Sequence, residues 1–330
     1  MTQQDKSASS QSDQHPPSTA SRGEAQDPAE PTETIIDQAV TTRMKTPLFQ
    51  AHHAERYQRQ AIIKQIQKST NRILLCFVCG SLCVIDREDT MPFVDLLHNV
   101  PAGHDVDLLL HTGGGDIDAA EKLVTMLRNK AGTATLRVIV PDYAKSAGTL
   151  MVLAADSVVM SDPSELGPID PQVILADANG NRMRHAIQAH LDAYDEYTKI
   201  LQKDPTHIPA QIMLGKLDPA VIKLFQAAKA RARESAESLL KKGMFRNGGN
   251  WSQTTTELLD TRRWQSHAQM ISYEDASDPR IGLNVTYLPQ SSDEWQGYWQ
   301  LYCLQRLAIL DKQKLYESDY VSLVMEGLTI

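Results

Sequence analysis

The chain has 330 residues, of which 42% are hydrophobic and 22% charged, and its formal net charge is -8 at pH 7. These values are ordinary for a globular protein, and the acidic balance argues against a nucleic-acid-binding protein, which usually carries a basic face. The sequence contains no run of about 18 apolar residues and no charged start followed by an apolar core, so neither a membrane span nor a secretory signal is predicted. We therefore expect a cytoplasmic protein.

The first segment is polar and the second is helical. Residues 1–40 are rich in Gln, Ser, Asp, Pro and Thr, and they are predicted to form a disordered tail because they cannot bury enough apolar surface to offset their ordering entropy. Residues 49–68 have the apolar spacing of a helix. His52 and His53 lie beside each other there, but adjacent residues do not share a helix face, so a solvated polar face is predicted rather than a metal site.

From about residue 70 short apolar strands alternate with helical segments, in the order "RILLCFV", "TMPFVDLLHNV", "VDLLLHT", "DAAEKLVTMLRNK", "TLRVIVP", "SAGTLMVLAAD" and "SVVMS". This alternation indicates βαβ units in an α/β domain with a mostly parallel sheet that is covered on both faces. Cys76 and Cys79 form a CxxC motif inside the first strand. Core packing is the favoured role for both thiols, because redox motifs of this kind lie at a helix start and no second ligand pair completes a zinc site.

The second half of the chain is predicted to be mainly helical. One helix is predicted over residues 185–202, and another begins at Asp218 as N-cap and Pro219 and ends at Gly243. A short helix and a final strand are predicted within residues 271–288. Residues 291–330 are predicted to form a helical C-terminal extension, in which a helix over residues 293–316 buries one face, made of Trp295, Trp299, Cys303, Leu307 and Leu310.

The glycine triplet in "HTGGGDIDAAE" is the first candidate functional motif. Gly113 and Gly115 fit the dinucleotide fingerprint GxGxxG, but an acidic residue, Asp118, occupies the third glycine position and would repel a pyrophosphate. A P-loop is also excluded because no GK[ST] follows. No nucleotide cofactor is therefore predicted, and the triplet suits a turn that aims backbone N–H groups into a cleft, as in an oxyanion hole.

Ser146 is the candidate nucleophile. It lies in "VIVPDYAKSAGTLMVLAAD", at a turn between a strand and a helix, where a hydroxyl would be exposed above the N-terminus of the helix. The alternative role is a plain N-cap. Two such turns at successive strand ends of one parallel sheet favour the functional interpretation, since ligand sites form at that edge of the sheet.

The motifs "HTGGGDIDAAE", "PDYAKSAGTLMVLAAD" and "MSDPSELGPIDPQ" together resemble the ClpP/crotonase superfamily, and in particular its serine dehydrogenase proteinase (SDH) branch of Clp-fold serine proteinases, relatives of signal peptide peptidase A. The resemblance covers residues 70–290, within a predicted domain at 41–290. It implies a fold of repeated ββα units, Ser146 as nucleophile, and the N–H groups of Gly114 and Ala147 as oxyanion donors. The chain departs from the pattern at Gly113, where many relatives have proline, and at Lys145, where a hydrophobic residue is common.

The group that takes the proton of the serine is less well defined by the sequence. Membrane-associated relatives use a lysine on a later helix, and Lys229 lies on the apolar stripe predicted for residues 219–242, where burial would favour the neutral amine that a Ser-Lys dyad needs. The alternative is a lysine at the edge of the stripe whose ammonium reaches water. His111 lies at the end of the glycine strand, and Asp170 and His267 are accessory candidates.

The sequence therefore predicts a serine endopeptidase that acts on a peptide or protein through a Ser-Lys dyad, without metal or cofactor. Two other functions stay open: a crotonase-like acyl-thioester enzyme, which needs no serine nucleophile, and a non-catalytic scaffold of the same fold. The resemblance further implies a homo-oligomer. The sequence leaves a peripheral membrane association open.

Overall fold

The computed structural model describes residues 45–176 and 182–328, and the predicted tail at residues 1–40 lies outside them. The chain divides into two compact units, Met1–His52 and His53–Ile330. In the first unit the structure describes one helix, α1 (Pro47–His52). All other elements belong to the second unit. The helix predicted over residues 49–68 is thus two helices separated by His53, whose backbone leaves the helical region.

The second unit contains a seven-stranded sheet and two small two-stranded sheets. Its strands are β1 (Ile73–Cys79), β2 (Val106–His111), β3 (Leu136–Ile139), β4 (Tyr143–Ala144), β5 (Ser157–Met160), β6 (Glu165–Leu166), β7 (Gln172–Ala176), β8 (Arg182–Ala186), β9 (Val285–Tyr287), β10 (Gln313–Glu317) and β11 (Ser322–Glu326). Its helices are α2 (Ala54–Thr70), α3 (Thr90–His98), α4 (Ile117–Ala131), α5 (Ala147–Leu153), α6 (Ile187–Lys203), α7 (Ile208–Leu214), α8 (Pro219–Lys242), α9 (Trp251–Leu259), α10 (Tyr273–Ser277) and α11 (Asp293–Leu307).

The large sheet has the order β11-β10-β1-β2-β3-β5-β9, and the five strands from β1 to β9 are parallel. The predicted α/β fold with a mostly parallel sheet is confirmed. Successive side chains of a strand point to opposite faces, so Leu75 and Phe77 join the larger core while Leu74 and Cys76 join the smaller one. The two cores explain why β1 is apolar along its whole length.

Helices cover both faces of the sheet. The larger core includes side chains of α3, α4, α5, α8 and α9, and the smaller core includes side chains of α2 and α11. Cys76 and Cys79 are buried in these two cores, which confirms their packing role. Burial raises the pKa of the Cys79 thiol to about 12, so it stays protonated and unreactive.

The C-terminal segment differs from its prediction as a helical extension. α11 ends at Leu307, and β10 then pairs antiparallel with β1 while β11 pairs with β10. The buried face of α11 is also different: Leu307 is exposed, whereas Tyr298 and Gln305 are buried. The sequence predicted a helix through residue 316 because β10 is short and half polar and so has no clear strand pattern. Its stability comes from pairing with β1, which is far away in the sequence.

The start of α8 follows from local chemistry as predicted. Asp218 caps α8 by accepting a hydrogen bond from Ala220 N at 2.7 Å, and Pro219 occupies the first helical position, where its missing N–H costs nothing. The helix predicted from residue 185 begins instead at Ile187, because residues 182–186 form β8, which pairs antiparallel with β7. Among the described residues, no helix is both long and apolar enough to cross a lipid bilayer.

Candidate active site

The candidate site is built at the carboxyl end of β2, where the chain meets the segment that follows β3. The main chains of these two segments are joined by hydrogen bonds from Thr112 N to Tyr143 O and from Lys145 N to Thr112 O, both at 3.0 Å. Gly148 lies directly against this junction, since a Cβ there would be 2.5 Å from Thr112 Cγ2. The glycine turn and the Ser146 turn are therefore held side by side, as the sequence predicted.

Ser146 has an unusual backbone conformation. Its φ of 52 and ψ of -115 lie where residues with a side chain are rarely found. Its side chain makes no capping hydrogen bond to α5, so the plain N-cap is not realised. Within the described residues the hydroxyl has no protein hydrogen-bond partner, and the residue is half-buried at the wall of a cleft. Backbone strain of this kind is typical of functional sites.

The glycine turn needs glycine at two positions. Gly114 has a φ of 104, and a Cβ there would lie 2.8 Å from Ser146 Cβ and 2.9 Å from Lys145 O. Gly115 has a φ of 151, and a Cβ there would lie 2.2 Å from Ile85 O. Gly115 is bridged to Ile85 by hydrogen bonds from Ile85 N to Gly114 O and from Asp116 N to Ile85 O. Only residues without a side chain permit this close approach of three backbone segments.

We expect Gly114→Ala to lower the free energy of unfolding by about 2 to 4 kcal/mol, because it combines left-handed backbone strain with a forced contact on the Ser146 turn. Gly113→Ala is the matched control, since nothing lies within 4 Å of its position and its φ is not in the left-handed region. The control should leave stability unchanged or raise it by up to about 1 kcal/mol. Urea unfolding measures both, and equal losses would contradict the described turn.

Backbone donors are available beside the Ser146 hydroxyl. Ala147 is the first residue of α5, and in the described part of the chain its N–H has no acceptor; the same holds for Gly115 N–H. Gly114 N–H instead donates to Thr112 Oγ1 at 3.1 Å. Of the two predicted oxyanion donors, Ala147 is therefore unengaged, whereas Gly114 already has an acceptor within its own turn.

Ser146 lines a cleft of about 520 Å³, together with Gly113, Gly115, Asp170 and His267. Buried apolar side chains of Ile85, Leu150 and Ile169 form part of its wall. The carboxylates of Asp116 and Glu88 lie at the same cleft and are exposed. The cleft therefore offers an apolar surface beside a hydroxyl and backbone N–H groups. Among residues 45–176 and 182–328, no cluster of three His, Cys, Asp or Glu residues could hold a metal ion.

The accessory candidates Asp170 and His267 form a pair. His267 Nδ1 lies 2.7 Å from Asp170 Oδ1, and their side chains are 19% and 6% exposed. Lys229 is half-buried on α8 and is not among the residues that line the cleft. Its predicted stripe is only partly correct, because Phe225, Ala232, Ala236 and Leu239 are buried but Val221 is exposed. In the described residues Lys229 makes no side-chain hydrogen bond or ion pair.

His111 is unsuited to proton transfer at the cleft. It is 1% exposed and does not line the cleft, and its Nδ1 lies 3.3 Å from Tyr302 Oη. Burial, followed by the charge of Arg306, lowers the pKa of the imidazole to about 3. The ring is therefore neutral near pH 7, packed against Tyr143 and Tyr302.

The model of the ClpP-like SDH-type serine proteinase family matches residues 47–244, which is more than half of the chain. The chain belongs to this family. The match includes the glycine turn, Ser146, Asp170 and Lys229, while His267 lies beyond it. The resemblance inferred from the three sequence motifs is thereby confirmed.

Two uncharacterised proteins of Methanocaldococcus jannaschii are similar to part of this chain. MJ0137 is 43% identical and MJ1495 is 36% identical to the chain, each over 86 residues. Each match covers 26% of this chain and 29% of the relative. The chain thus spans less than a third of the length of the curated relatives it matches.

Solved structures of similar fold include ClpP1 from Listeria monocytogenes, which is 14% identical to this chain with a TM-score of 0.34. The comparison covers 68% of this chain and 94% of the ClpP1 chain. A mutant of the 1510-N membrane-bound stomatin-specific protease in complex with a substrate peptide is 12% identical with a TM-score of 0.28. That comparison covers 71% of this chain and 98% of the protease.

One residue near the candidate nucleophile has a structural role that the sequence did not indicate. Lys145, which departs from the family pattern, has a largely buried side chain that forms an ion pair with Glu165. Its Nζ donates to Leu166 O at 3.2 Å and to the carbonyls of Ala268 and Gln269, both at 3.4 Å. No local sequence signal could have revealed it, because the loop it binds lies more than a hundred residues away.

Proposed function

We infer that this chain is a serine peptidase in which Ser146 is the nucleophile. The observation that carries the inference is the strained, uncapped Ser146 at the wall of the cleft, with its hydroxyl unpartnered within the described residues. A residue with positive φ and no capping hydrogen bond lowers the free energy of unfolding of the protein. Membership of a serine proteinase family supports the same conclusion.

The backbone supports the chemistry of acyl transfer. Attack of Ser146 Oγ on a peptide carbonyl places negative charge on the carbonyl oxygen, and preorganised N–H groups stabilise that charge. The N–H of Ala147, at the N-terminus of α5, is available for this role. The second donor is Gly114, as the family resemblance implies, or the unengaged N–H of Gly115 next to it.

The proton acceptor predicted from the sequence is Lys229, which would complete a Ser-Lys dyad. Its helix, α8, packs against α5, the helix that follows Ser146, and its side chain is half-buried, which supports the dyad. Its absence from the cleft wall argues against it. The Ser-Lys dyad is therefore a hypothesis to be tested by substitution of Lys229.

The cleft favours a peptide or protein substrate with an apolar side chain near the scissile bond, because the apolar residues Val84, Ile117 and Ile174 line the cleft and are at least partly exposed. The family resemblance supports a homo-oligomer as the working form, which light scattering would measure. The cytoplasmic location remains an expectation from the sequence.

The test is covalent labelling of the full chain with a fluorophosphonate probe, followed by mass spectrometry of the modified peptide. We expect an adduct on Ser146 and none in Ser146→Ala, because only an activated serine reacts quickly with such a probe. If the wild type is never labelled but binds an acyl-CoA, the acyl-thioester alternative replaces this function. If it neither reacts nor binds, the chain is a non-catalytic scaffold.

A further inference from the structure

Leu328, which lies just beyond β11, lines the same cleft as Ser146. It is 60% exposed, so a molecule in the cleft can contact its side chain. The partly exposed Val84 lies next to it at the cleft, because Val84 N donates to Leu328 O at 3.3 Å. The C-terminal part of the chain thus contributes an apolar side chain to the candidate site.

The backbone connects Leu328 to the glycine turn through one intervening segment. Val84 N is bonded to Leu328 O, and the N–H of the next residue, Ile85, donates to Gly114 O at 2.8 Å. Because hydrogen-bonded backbone segments lie about 4.8 Å apart, the backbone of Leu328 is about 10 Å from the glycine turn. An extended peptide rises about 3.3 Å per residue, so a substrate residue about three positions from the scissile bond is within reach of Leu328.

The position of Leu328 is fixed by the glycine that precedes it. A Cβ at Gly327 would lie 2.6 Å from Cys83 Sγ and 2.7 Å from Lys314 Cε, and both of these residues are buried. Such a close approach requires a residue without a side chain. Gly327 N also donates to Lys312 O at 2.8 Å, which continues the pairing of β11 with β10. Leu328 is therefore held at the cleft by the edge of the large sheet.

Leu328 also lies between the cleft and a second cavity of about 200 Å³. The two spaces share three wall residues, which are Asp86, Glu88 and Leu328. Asp86 is held in place by its ion pair with the buried Lys314 at 2.7 Å. Leu328 is the apolar member of the shared wall. Truncation of its side chain would therefore extend the cleft toward the second cavity.

We propose that Leu328 is a specificity-determining residue of this peptidase, which closes the cleft toward the second cavity and limits the length of the apolar substrate side chain bound there. This inference rests on the proposed function. Gly327 is a positioning residue for Leu328. A substrate side chain that is too long meets Leu328 and is rejected by a steric clash, which is a common source of selectivity between related ligands.

The experiment measures the second-order rate constant for labelling of Ser146 in the full-length protein by fluorophosphonates with ethyl, butyl, hexyl, octyl and dodecyl chains. The alkyl chain stands in for the substrate side chain. We expect the wild-type rate to rise with chain length while each added methylene is buried in the cleft, and to fall once the chain meets Leu328. Leu328→Ala should raise the octyl-to-butyl rate ratio about 10-fold, and Leu328→Trp should lower it about 10-fold.

The ratio of two rates in one preparation does not depend on the folded fraction, so a loss of stability cannot imitate either shift. Leu307→Ala and Leu307→Trp are the matched controls, because Leu307 is exposed and lies outside the cleft that the described residues form. They should keep the wild-type ratio. Gly327→Ala should change the ratio although Leu328 is retained, and an unchanged ratio would contradict the positioning role of Gly327.

The proposal is overturned if both Leu328 variants keep the wild-type ratio, or if the Leu307 variants shift the ratio as much as the Leu328 variants do. Failure of the proposed function is distinct, because then none of the fluorophosphonates labels Ser146 in the wild type, and both the function and this inference are overturned.

Discussion

Ser146→Gly is expected to abolish fluorophosphonate labelling and to raise the free energy of unfolding by about 1 to 2 kcal/mol. Loss of the hydroxyl removes the nucleophile, which in serine proteases costs roughly six orders of magnitude in rate. The gain in stability has a separate cause. Ser146 has a φ of 52 and a ψ of -115, and strain of this kind costs about 1 to 3 kcal/mol. Glycine relieves this strain, and its greater flexibility in the unfolded chain offsets only part of the gain in stability.

Ser146→Ala separates the two effects. Alanine also lacks the hydroxyl but keeps the Cβ, so labelling should vanish while the free energy of unfolding stays within about 0.5 kcal/mol of wild type. Urea unfolding with a common slope measures both variants. If glycine and alanine gave the same stability, the backbone at Ser146 would not be strained, and the main structural argument for a nucleophile would be lost.

Lys314→Met is expected to lower the free energy of unfolding by about 3 to 5 kcal/mol, although it replaces a charged residue by an apolar one of similar length. Lys314 is 2% exposed, and its Nζ lies 2.7 Å from Asp86 and also bonds Asp89. Burial alone would lower the pKa of this amine, but its hydrogen bonds to the two carboxylates outweigh burial and raise the pKa. Without the ammonium, two buried carboxylates would face each other uncompensated.

The loss in free energy of unfolding caused by Lys314→Met should depend on pH. Burial raises the pKa of the Asp89 carboxyl in the folded protein, and removing Lys314 raises it further. A group whose folded pKa exceeds its unfolded pKa favours folding at low pH and loses that contribution as pH rises through the folded pKa. The difference from wild type should therefore shrink between pH 7 and pH 5. Lys312→Met, at an exposed neighbouring position, should change stability by less than about 0.5 kcal/mol at either pH.

Much of the fold could be predicted because its signals are local. Apolar strands alternating with amphipathic helices determine a parallel sheet with two covered faces, and the Asp218 cap and Pro219 mark the start of α8. The glycine turn and Ser146 could be recognised for the same reason, since each is a short stretch whose backbone geometry depends on its own residues. The resemblance to a known family then linked these turns into one site.

What the sequence missed depends on contacts between distant residues. β10 contains Lys314 and Glu317, which look like surface residues in the sequence. Both are buried and paired with Asp86 and Arg59, and these partners could not be inferred because they lie over two hundred positions away. Asp170 and His267, named separately as accessory candidates, are 97 positions apart, and no periodicity could indicate that they pair. Lys229 was favoured by an apolar stripe that the structure retains only in part.

The pairing of β1 with β10 has a consequence for how the protein is made. Cys76 lies opposite Glu317, so the ribosome completes β1 long before its antiparallel neighbour has been translated. Until then one side of an almost wholly apolar strand offers unpaired peptide groups to any other nascent chain. We therefore expect newly synthesised copies to depend on chaperone shielding during translation, and slow translation of the segment that forms β10 to increase aggregation.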